Sequence, residues 1–342
     1  EMKILFIGCN SGNSKLAYKA IKKIHRKTEL LAVDNLLTKI EYAVFYHLFP
    51  NLFNYKINLF FKKKIKKKYD LFFFYNCEFI NENLITKIKQ SDSKAYFYCA
   101  DNPFLPRDKQ RWQLIKKVIN KFDLVIFQQK NREKYVKKFK ISKYVTILPP
   151  YFKGVHVRHN VRPKKNVIFL GTWYPERGKF FYELIKLGLK VDIYGSHWQK
   201  DKKYYELIKQ HIHLKNYQAH ELSKIISNYK IGIALYAKDN DDDFSNRSIE
   251  IPAIGSLICS ERSQTLEKVL IENKEAIYFN KVKDCFNKCS HLLNNIKTIH
   301  KIRKSGQKKI LNILKPEGER VFKKILSKNF IKKYNKKFII NY

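Results

Sequence analysis

Acidic residues are scarce in this chain of 342 residues: 30 Asp and Glu stand against 70 Lys and Arg, which gives a formal net charge of +40 at pH 7. The chain is therefore strongly basic. Its positive electrostatic field attracts polyanions such as nucleic acid, anionic lipid or acidic glycan. Compositional drift is an equally open explanation, because an AT-rich coding sequence also yields a chain rich in Lys, Asn, Ile, Phe and Tyr.

Glycine is scarce as well, with 11 residues, and long apolar runs are missing. No stretch reaches the roughly 18 apolar residues of a transmembrane helix, so the sequence predicts no membrane span. The loop Asn10-Ser11-Gly12 lacks the Gly-x-Gly-x-x-Gly fingerprint, which disfavours a dinucleotide-dependent oxidoreductase. The six cysteines are scattered, mostly inside apolar segments, which predicts reduced, buried thiols in a cytoplasmic protein and no disulfide framework.

Apolar runs of strand length alternate with helix-length segments along most of the chain. Continuous apolar strands separated by helical lengths indicate βαβ units and a parallel sheet. An aperiodic, basic stretch up to Lys165 interrupts the alternation, which then restarts, so we place an interdomain linker there. The sequence therefore predicts an α/β fold with two Rossmann-like, doubly wound domains, at residues 1–152 and 165–314, followed by a helical tail at 315–342.

One segment, residues 246–261, concentrates the chemistry that we expect of a binding site. Arg247 and Glu250 are three residues apart and would leave one face of a short helix, while Gly255 stands where that helix would end. A helix that begins at the carboxyl end of a parallel strand is a ready anion site. Arg247 would add a forked donor for phosphate, and Glu250 could accept hydrogen bonds from a ribose diol.

The pattern Asn-Arg-x-x-Glu-x-x-Ala-x-Gly-x-x-x-x-x-Glu in this segment resembles the donor-binding segment of GT-B glycosyltransferases. It looks most like the branch grouped with spore-maturation (CgeB-like) glycosyltransferases. The resemblance implies that Glu250 holds the ribose of a nucleotide sugar and that nearby basic groups hold its diphosphate. Asp242 stands where related retaining enzymes carry a second Glu, so that half of the motif is altered. The likeness covers residues 145–310, and in the first half only the architecture matches.

The same resemblance implies a GT-B architecture, whose last helix crosses back to the first domain, and a set of donor-binding residues. Gly171 would end a strand with its backbone able to approach a phosphate, Arg177 would begin the next helix, and Tyr217 would flank the nucleobase. The implied donor set is Gly171, Thr172, Arg177, Tyr217, Asn246, Arg247 and Glu250.

The acceptor side of the predicted site is less defined. Asp101, at the end of the fourth predicted strand, is the candidate catalytic base of an inverting enzyme, and its alternative role is to cap the turn before Pro103. Retaining chemistry would leave Asp101 as an acceptor binder, so the stereochemical outcome stays open. Asn10 and Ser11 are candidates for the acceptor side of the cleft, with helix capping as the alternative for Ser11.

Metal sites are disfavoured. The acidic run at 239–243 follows the spacing of a calcium-binding loop, but Phe244 occupies the position that requires glycine. Cys285 and Cys289 are one helical turn apart, which fits the buried face of a helix better than a zinc site. The resemblance likewise implies transfer without a metal or other cofactor, the nucleotide sugar being a substrate.

We therefore expect a glycosyltransferase that moves a sugar from a UDP-, GDP-, dTDP- or CMP-linked donor to a glycan or lipid-linked acceptor in cell-surface polysaccharide synthesis. The lysine-rich stretch 60–69 and the aromatic stretch 46–55 predict an amphipathic region that touches an anionic membrane at its cytoplasmic face, with a solvated helix end as the alternative. Two other functions stay open: a basic nucleic-acid-binding protein and an inactive GT-B scaffold. Nucleic acid is the less favoured partner, because most aromatic residues lie in apolar patterns.

Overall fold

The computed structural model describes residues 1–161 and 163–327. The chain divides into two compact units, each built on one six-stranded sheet. Unit 1 comprises residues 1–148, residues 238–241 and the described residues from Gly318 onward, and unit 2 comprises residues 149–237 and 242–317. Arg162, in the predicted linker, and residues 328–342 of the predicted tail lie outside the described residues.

Unit 1 contains a parallel sheet with the strand order β2-β1-β3-β4-β5-β6. Its strands are β1 (Ile4–Gly8), β2 (Thr28–Ala32), β3 (Leu71–Tyr75), β4 (Lys94–Cys99), β5 (Leu124–Phe127) and β6 (Tyr144–Thr146). The helices between them are α1 (Gly12–Ile24), α2 (Lys39–His47), α3 (Asn54–Lys64), α4 (Glu82–Gln90) and α5 (Gln113–Val118), and a short 3-10 helix, Pro50–Phe53, joins α2 to α3.

Unit 2 repeats the arrangement with the strand order β12-β11-β10-β7-β8-β9, again all parallel. Its strands are β7 (Val167–Leu170), β8 (Val191–Gly195), β9 (Ile212–Leu214), β10 (Ile231–Ala234), β11 (Leu257–Glu261) and β12 (Ile277–Phe279). Its helices are α6 (Pro175–Lys186), α7 (Tyr205–Ile208), α8 (Ala219–Ser227), α9 (Asn246–Ile254), α10 (Gln264–Val269), α11 (Val282–Asn294) and α12 (Ile296–Lys308).

The central strands are buried on both faces, which is why they appear in the sequence as unbroken apolar runs. Every residue of β3, whose sequence is Leu-Phe-Phe-Phe-Tyr, is buried. Aromatic side chains stack across neighbouring strands: ring centroids lie 5.5 Å apart for Phe6 and Phe73 and 4.5 Å apart for Tyr75 and Tyr98. Parallel sheets need helices on both faces for this burial, and the crossover helices supply them.

The last described helix, α13 (Gly318–Ile325), belongs to unit 1 and packs against α1. Its Phe322 side chain is fully buried, with its ring centroid 5.9 Å from that of Phe73 and 6.1 Å from that of Tyr98. Glu319 forms a 2.6 Å ion pair with Lys23 of α1. The chain thus begins and, within the described residues, ends in the same unit.

Helix α9 is fixed at its carboxyl end by contacts that only glycine permits at the next position. Gly255 has a φ of +91°, and a Cβ atom there would lie 2.7 Å from Nε2 of Gln307. The carbonyl of Gly255 accepts hydrogen bonds from Nη1 of both Arg158 (2.9 Å) and Arg303 (2.8 Å). Cations that bind the last carbonyls of a helix also interact favourably with its dipole, so this end of α9 is firmly held.

We expect Gly255→Ala to destabilise unit 2 by more than the matched variant Gly188→Ala. Gly188 also has a positive φ, +98°, but an added Cβ there meets open space, so its cost is the backbone strain alone, about 1–2 kcal/mol. The alanine at 255 must in addition displace Gln307. The midpoints of urea unfolding measure both costs, and equal shifts would contradict the close packing at Gly255.

Candidate functional site

Helix α9 is buried except at its first turn. Residues 248–254 are all buried, whereas Asn246 and Arg247 are only half-buried. Ser245 precedes the helix in an extended conformation, and its backbone N–H donates to Oγ of Ser248 at 3.3 Å. A helix of this kind offers solvent only its amino-terminal turn, where the free N–H groups and the helix dipole favour an anion.

Arg247 covers the buried carboxylate of Glu250. The two side chains form an ion pair between Nη1 of Arg247 and Oε2 of Glu250, as expected for residues three apart on one helix face. The Glu250 side chain is 5% exposed and that of Arg247 is 23% exposed. The guanidinium therefore lies between the carboxylate and solvent, and its Nε also donates to the carbonyl of Leu170 at the end of β7 (3.3 Å).

His156 completes the surroundings of Glu250. Its Nε2 lies 3.5 Å from Oε1 of Glu250, and its Nδ1 accepts a hydrogen bond from the backbone N–H of Phe152 at 2.8 Å. Burial, with the charge of Arg247 as the second cause, lowers the pKa of His156 from 6.5 to about 4. At neutral pH the ring is uncharged, and because Nδ1 accepts, its proton is on Nε2 and faces Glu250.

We expect His156 to make unit 2 acid-sensitive. Because its pKa is lower in the folded than in the unfolded chain, its contribution is fully present above pH 6.5 and is lost as the pH falls towards 4. Between pH 7 and pH 5 the loss amounts to about 2 kcal/mol. Unfolding free energies of wild type and His156→Gln, measured at both pH values, should show a smaller decrease in the variant. An equal decrease would contradict the buried neutral ring.

Arg177 lies at the start of α6, as the sequence predicts, but it is buried and bound to backbone. Its Nη1 donates to the carbonyl of Thr172 (2.7 Å), and its Nη2 lies 3.4 Å from the carbonyl of Leu235, just after β10. The guanidinium also lies over the ring of Tyr174, 4.5 Å from the centroid. Burial lowers the pKa of Arg177.

Two glycines allow the backbone to pack closely around Arg177. A Cβ on Gly171 would lie 3.0 Å from Nη1 of Arg177 and 2.7 Å from the ring of Phe169. A Cβ on Gly195, at the end of β8, would lie 2.0 Å from the carbonyl oxygen of Gly171. Any larger residue at these positions would push the β7–α6 loop out of place, which explains both glycines.

The guanidinium groups of Arg177 and Arg247 concentrate positive charge at the carboxyl ends of β7 and β10. Burial and then the charge of Arg177 lower the pKa of Arg247 from 12.5 to about 10, so that Arg247 is still protonated at neutral pH. Two buried cations that repel each other bind an anion more tightly than either would alone. The first turn of α9 adds backbone donors on the same edge of the sheet, so the arrangement suits a multiply charged anion such as a diphosphate.

The other predicted donor residues of unit 2 occupy loops that follow strands. Thr172 is half-buried, and its Oγ1 donates to the carbonyl of Ser196 at 2.9 Å. Tyr217 lies between β9 and α8, with its ring centroid 5.5 Å from that of Tyr194. Asn246 opens α9. Their contacts to a donor stay predictions.

In unit 1, Asp101 follows β4 and is held by an amide and a cation. Its Oδ2 accepts from Nδ2 of Asn76 (2.9 Å) and from Nη1 of Arg111 (3.1 Å). Oδ1 of Asn102 accepts from the N–H of Phe104 at 3.1 Å, a bond that spans Pro103. The roles of Asp101 as a base, as an acceptor ligand or as the cap of the turn before Pro103 stay predictions.

Arg111 links Asp101 to further buried carboxylates. Its Nε lies 3.4 Å from Oε1 of Glu78, and its Nη1 lies 3.7 Å from Oδ2 of Asp108. Burial alone would lower the pKa of Arg111, but the charges of Glu78 and Asp101 outweigh it and raise the pKa. The guanidinium stacks on the ring of Trp112, 4.3 Å from the centroid. This network fixes the carboxyl edge of the first sheet around Asp101.

Asn10 and Ser11 are both exposed in the loop between β1 and α1. The backbone N–H of Asn10 donates to Oδ2 of Asp34 at 2.8 Å, which ties this loop to the one that follows β2. Ser11 occupies the N-cap position of α1, but its side chain makes no capping hydrogen bond. Its hydroxyl thus does not serve the helix, and a contact with an acceptor stays a prediction for both residues.

His156 and Arg158 are site residues that the sequence did not reveal. They lie in the aperiodic stretch that we predicted as a linker, yet His156 contacts Glu250 and Arg158 binds the end of α9. The stretch belongs to unit 2, and these two residues contact α9 and the glycine that follows it. A buried histidine with no apolar periodicity around it leaves no sequence signal of its own.

Carboxylates of the acidic run at 239–243 bind different partners. Asp241 forms a 2.7 Å ion pair with Lys134, and Oδ2 of Asp243 accepts from Thr265 at 2.5 Å. Within the described part of the chain, the one group of three or more close metal-ligand side chains is a buried set of thiols, Cys259, Cys285 and Cys289. Cys285 and Cys289 lie on the buried face of α11, as we predicted, while Cys9 is exposed.

Comparison with known proteins shows what this part of the chain is similar to. Residues 177–315 match the family model described as "Glycosyl transferase-like". No curated protein matches the chain by sequence. The match begins at Arg177 and includes the whole of α9, so it covers the candidate donor residues except Gly171 and Thr172.

The whole fold matches solved structures at low sequence identity. A sucrose-phosphate synthase from Thermosynechococcus elongatus superimposes with a TM-score of 0.73 at 11% identity, covering 98% of this chain and 100% of that one. HepE from Anabaena, in complex with UDP and glucose, gives a TM-score of 0.70 at 10% identity, covering 95% and 98%. A glycosyltransferase from Rickettsia africae gives 0.66 at 12% identity, covering 96% and 100%. The predicted α/β, GT-B fold is confirmed.

Proposed function

We infer that this chain, a GT-B enzyme of the glycosyltransferase class, moves a sugar from a nucleotide-sugar donor to a glycan or lipid-linked acceptor in cell-surface polysaccharide synthesis. The observation that carries the proposal is the open first turn of α9, where the Arg247–Glu250 pair lies at the same sheet edge as Arg177. Because one fold can host unrelated reactions, the residues of this site carry more weight than the overall likeness.

The two guanidinium groups would supply the charge that the reaction needs. Transfer of the sugar leaves a nucleoside diphosphate, whose negative charge grows as the glycosidic bond breaks. Arg177 is already fixed by two backbone carbonyls, so it needs little reorganisation to face that charge. With Arg247 and the amino end of α9 beside it, the protein itself offers enough positive charge for transfer without a metal ion.

Glu250 would bind the ribose of the donor after Arg247 has moved away. Arg247 pairs with Oε2 of Glu250 and shields the carboxylate from water. A ribose diol can take the place of that guanidinium by donating two hydrogen bonds to the carboxylate, which frees Arg247 for the diphosphate. The Nε2–H of His156 faces Oε1 at 3.5 Å and adds a neutral polar neighbour to the carboxylate.

The nucleotide, the branch of the family, the acceptor residue and the location follow from separate observations. We propose UDP as the nucleotide because the HepE structures contain UDP, UDP with glucose, or UDP-glucose. The pattern of residues 246–261, which looks most like that of the CgeB-like branch, supports placing the chain there. Asp101, at the carboxyl edge of the first sheet, is the group that we assign to the acceptor hydroxyl, and we place the protein in the cytoplasm.

The test is the release of nucleoside diphosphate from UDP-, GDP- and dTDP-sugars, and of CMP from CMP-linked sugars, with EDTA present and a mixture of glycan acceptors. We expect one nucleotide class to be used, with the release at least about 100-fold slower in Glu250→Gln and insensitive to EDTA. Glu267→Gln is the control for the loss of one negative charge. It removes a carboxylate that is 34% exposed and should leave the rate of nucleotide release unchanged. Tight nucleotide binding without any release would identify an inactive scaffold and contradict the proposal.

A further inference from the structure

Large apolar side chains are exposed to water in one stretch of unit 1. Of the twelve strongly exposed large apolar side chains in the described residues, five lie between residues 40 and 55, although this stretch is less than a twentieth of the chain. We call this set the apolar ridge: Ile40, Leu48, Phe49, Leu52 and Tyr55. The ridge follows α2, the 3-10 helix Pro50–Phe53 and the start of α3, which are consecutive in the chain.

The ridge is not needed for the core of unit 1. The inward face of the same segments is already apolar and buried: Phe45 of α2 and Ile57 and Phe61 of α3 are at most 2% exposed. Leu52 and Tyr55 are 69% and 79% exposed, so they add nothing to that packing. Surface segments that are apolar on both faces mark a second interface, because an ordinary surface helix has a polar outer face.

Lysines flank the ridge on its carboxyl-terminal side. Lys62, Lys63 and Lys64 end α3 and are all exposed, and three more exposed lysines follow at 66–68. A cavity of about 560 Å³ opens between this run and α4. Its lining includes Phe61, lysines of this run and Lys87 of α4. Apolar and cationic side chains in one lining are complementary to an amphiphile with a negative head group.

We propose that unit 1 docks on an anionic phospholipid bilayer through the apolar ridge and the lysines at 62–68. The ridge enters the boundary between head groups and acyl chains, and the lysines bind the phosphates. A nucleic acid would satisfy the lysines but would leave the aliphatic members of the ridge in water. In the described residues no helix has the length and apolarity to span a bilayer, so this contact is a surface contact. The inference is independent of the proposed glycosyl transfer.

Sedimentation of the full chain with vesicles, without nucleotide, tests the proposal. We expect at least about tenfold stronger partitioning onto phosphatidylcholine vesicles that contain phosphatidylglycerol than onto phosphatidylcholine alone. Phe49→Ser with Leu52→Ser should reduce the partitioning about tenfold, and so should Lys62, Lys63 and Lys64 changed to Gln. High salt should weaken vesicle binding more for the wild type than for the variant in which the three lysines are changed to Gln.

Matched variants in unit 2 are the controls. Leu207→Ser with Ile271→Ser removes apolar side chains that are 56% and 49% exposed, and Lys224, Lys268 and Lys274 changed to Gln remove three exposed lysines. Both sets should bind like wild type. As a second readout, a tryptophan placed at the ridge by Leu52→Trp should shift its fluorescence to the blue on anionic vesicles, whereas Leu207→Trp should not.

Two kinds of result would overturn the proposal. Equal binding to neutral and anionic vesicles, or equal losses in ridge and control variants, would show that the ridge and its lysines do not form the contact. Loss on lysine replacement, with ridge variants unchanged and single-stranded RNA competing for the site, would identify a polyanion surface without insertion. Either result leaves the nucleotide-release assay unaffected.

Discussion

Glu250→Gln is expected to lower kcat/KM for the nucleotide sugar by roughly 100- to 1,000-fold. The carboxylate is proposed to accept two hydrogen bonds from the ribose diol, and bonds to a charged group contribute about 1.5–3 kcal/mol each. The amide keeps the volume of the side chain and one acceptor oxygen, so the packing beside His156 is preserved. Steady-state kinetics with the donor that the enzyme uses gives the ratio.

Glu267→Gln is the matched control, because Glu267 is a surface carboxylate of unit 2 that pairs with Arg262. It should retain the wild-type kcat/KM. If Glu250→Gln turned over donor within about threefold of wild type while unfolding at the same urea concentration, Glu250 would not contact the donor.

Arg247→Met is expected to destabilise unit 2 by about 3–5 kcal/mol, because removal of the guanidinium leaves the buried Glu250 carboxylate with only a neutral imidazole beside it. The double variant Arg247→Met/Glu250→Gln should recover most of the lost stability, since no buried charge is then left unpaired. Urea unfolding of the wild type, both single variants and the double variant gives the coupling energy of the pair.

Arg262→Met provides the comparison for an ion pair at the surface. Arg262 pairs with Glu267 and Glu272, and all three side chains are about a third exposed, so the expected cost is about 0–1 kcal/mol. For the buried pair, additive changes in the free energy of unfolding on Arg247→Met and Glu250→Gln would contradict the expected coupling. The double variant should also stay inactive, because recovered stability does not restore the contacts to the donor.

The strands could be predicted from the sequence because burial on both faces leaves an unmistakable apolar run. Apolar runs such as the one at Lys94–Cys99 are strands in the structure, as their length predicts. The exception is β9, Ile212–Leu214, an edge strand whose last two residues are exposed. A three-residue strand with a histidine in its centre produces neither an apolar run nor a clear alternation, so the pattern could not identify it.

The candidate site could be predicted where it depends on local geometry. Arg247 and Glu250 meet because three residues along a helix return to the same face, which the spacing alone indicates. His156 reaches Glu250 only through the tertiary packing of a segment without regular structure, and no periodic signal marks it. Arg177 was correctly placed at the start of α6, but its hydrogen bonds to two backbone carbonyls depend on Gly171 and on β10.

Isothermal titration of the wild-type chain with UDP, GDP, dTDP and CMP measures whether the site at the first turn of α9 binds a nucleotide. We expect a nucleotide to bind at one site per chain, with an affinity that falls as the salt concentration rises and is lost in Glu250→Gln. If none of the four nucleotides bound, or if binding persisted unchanged in Glu250→Gln and in Arg247→Met/Glu250→Gln, the assignment of α9 as the donor site would be contradicted.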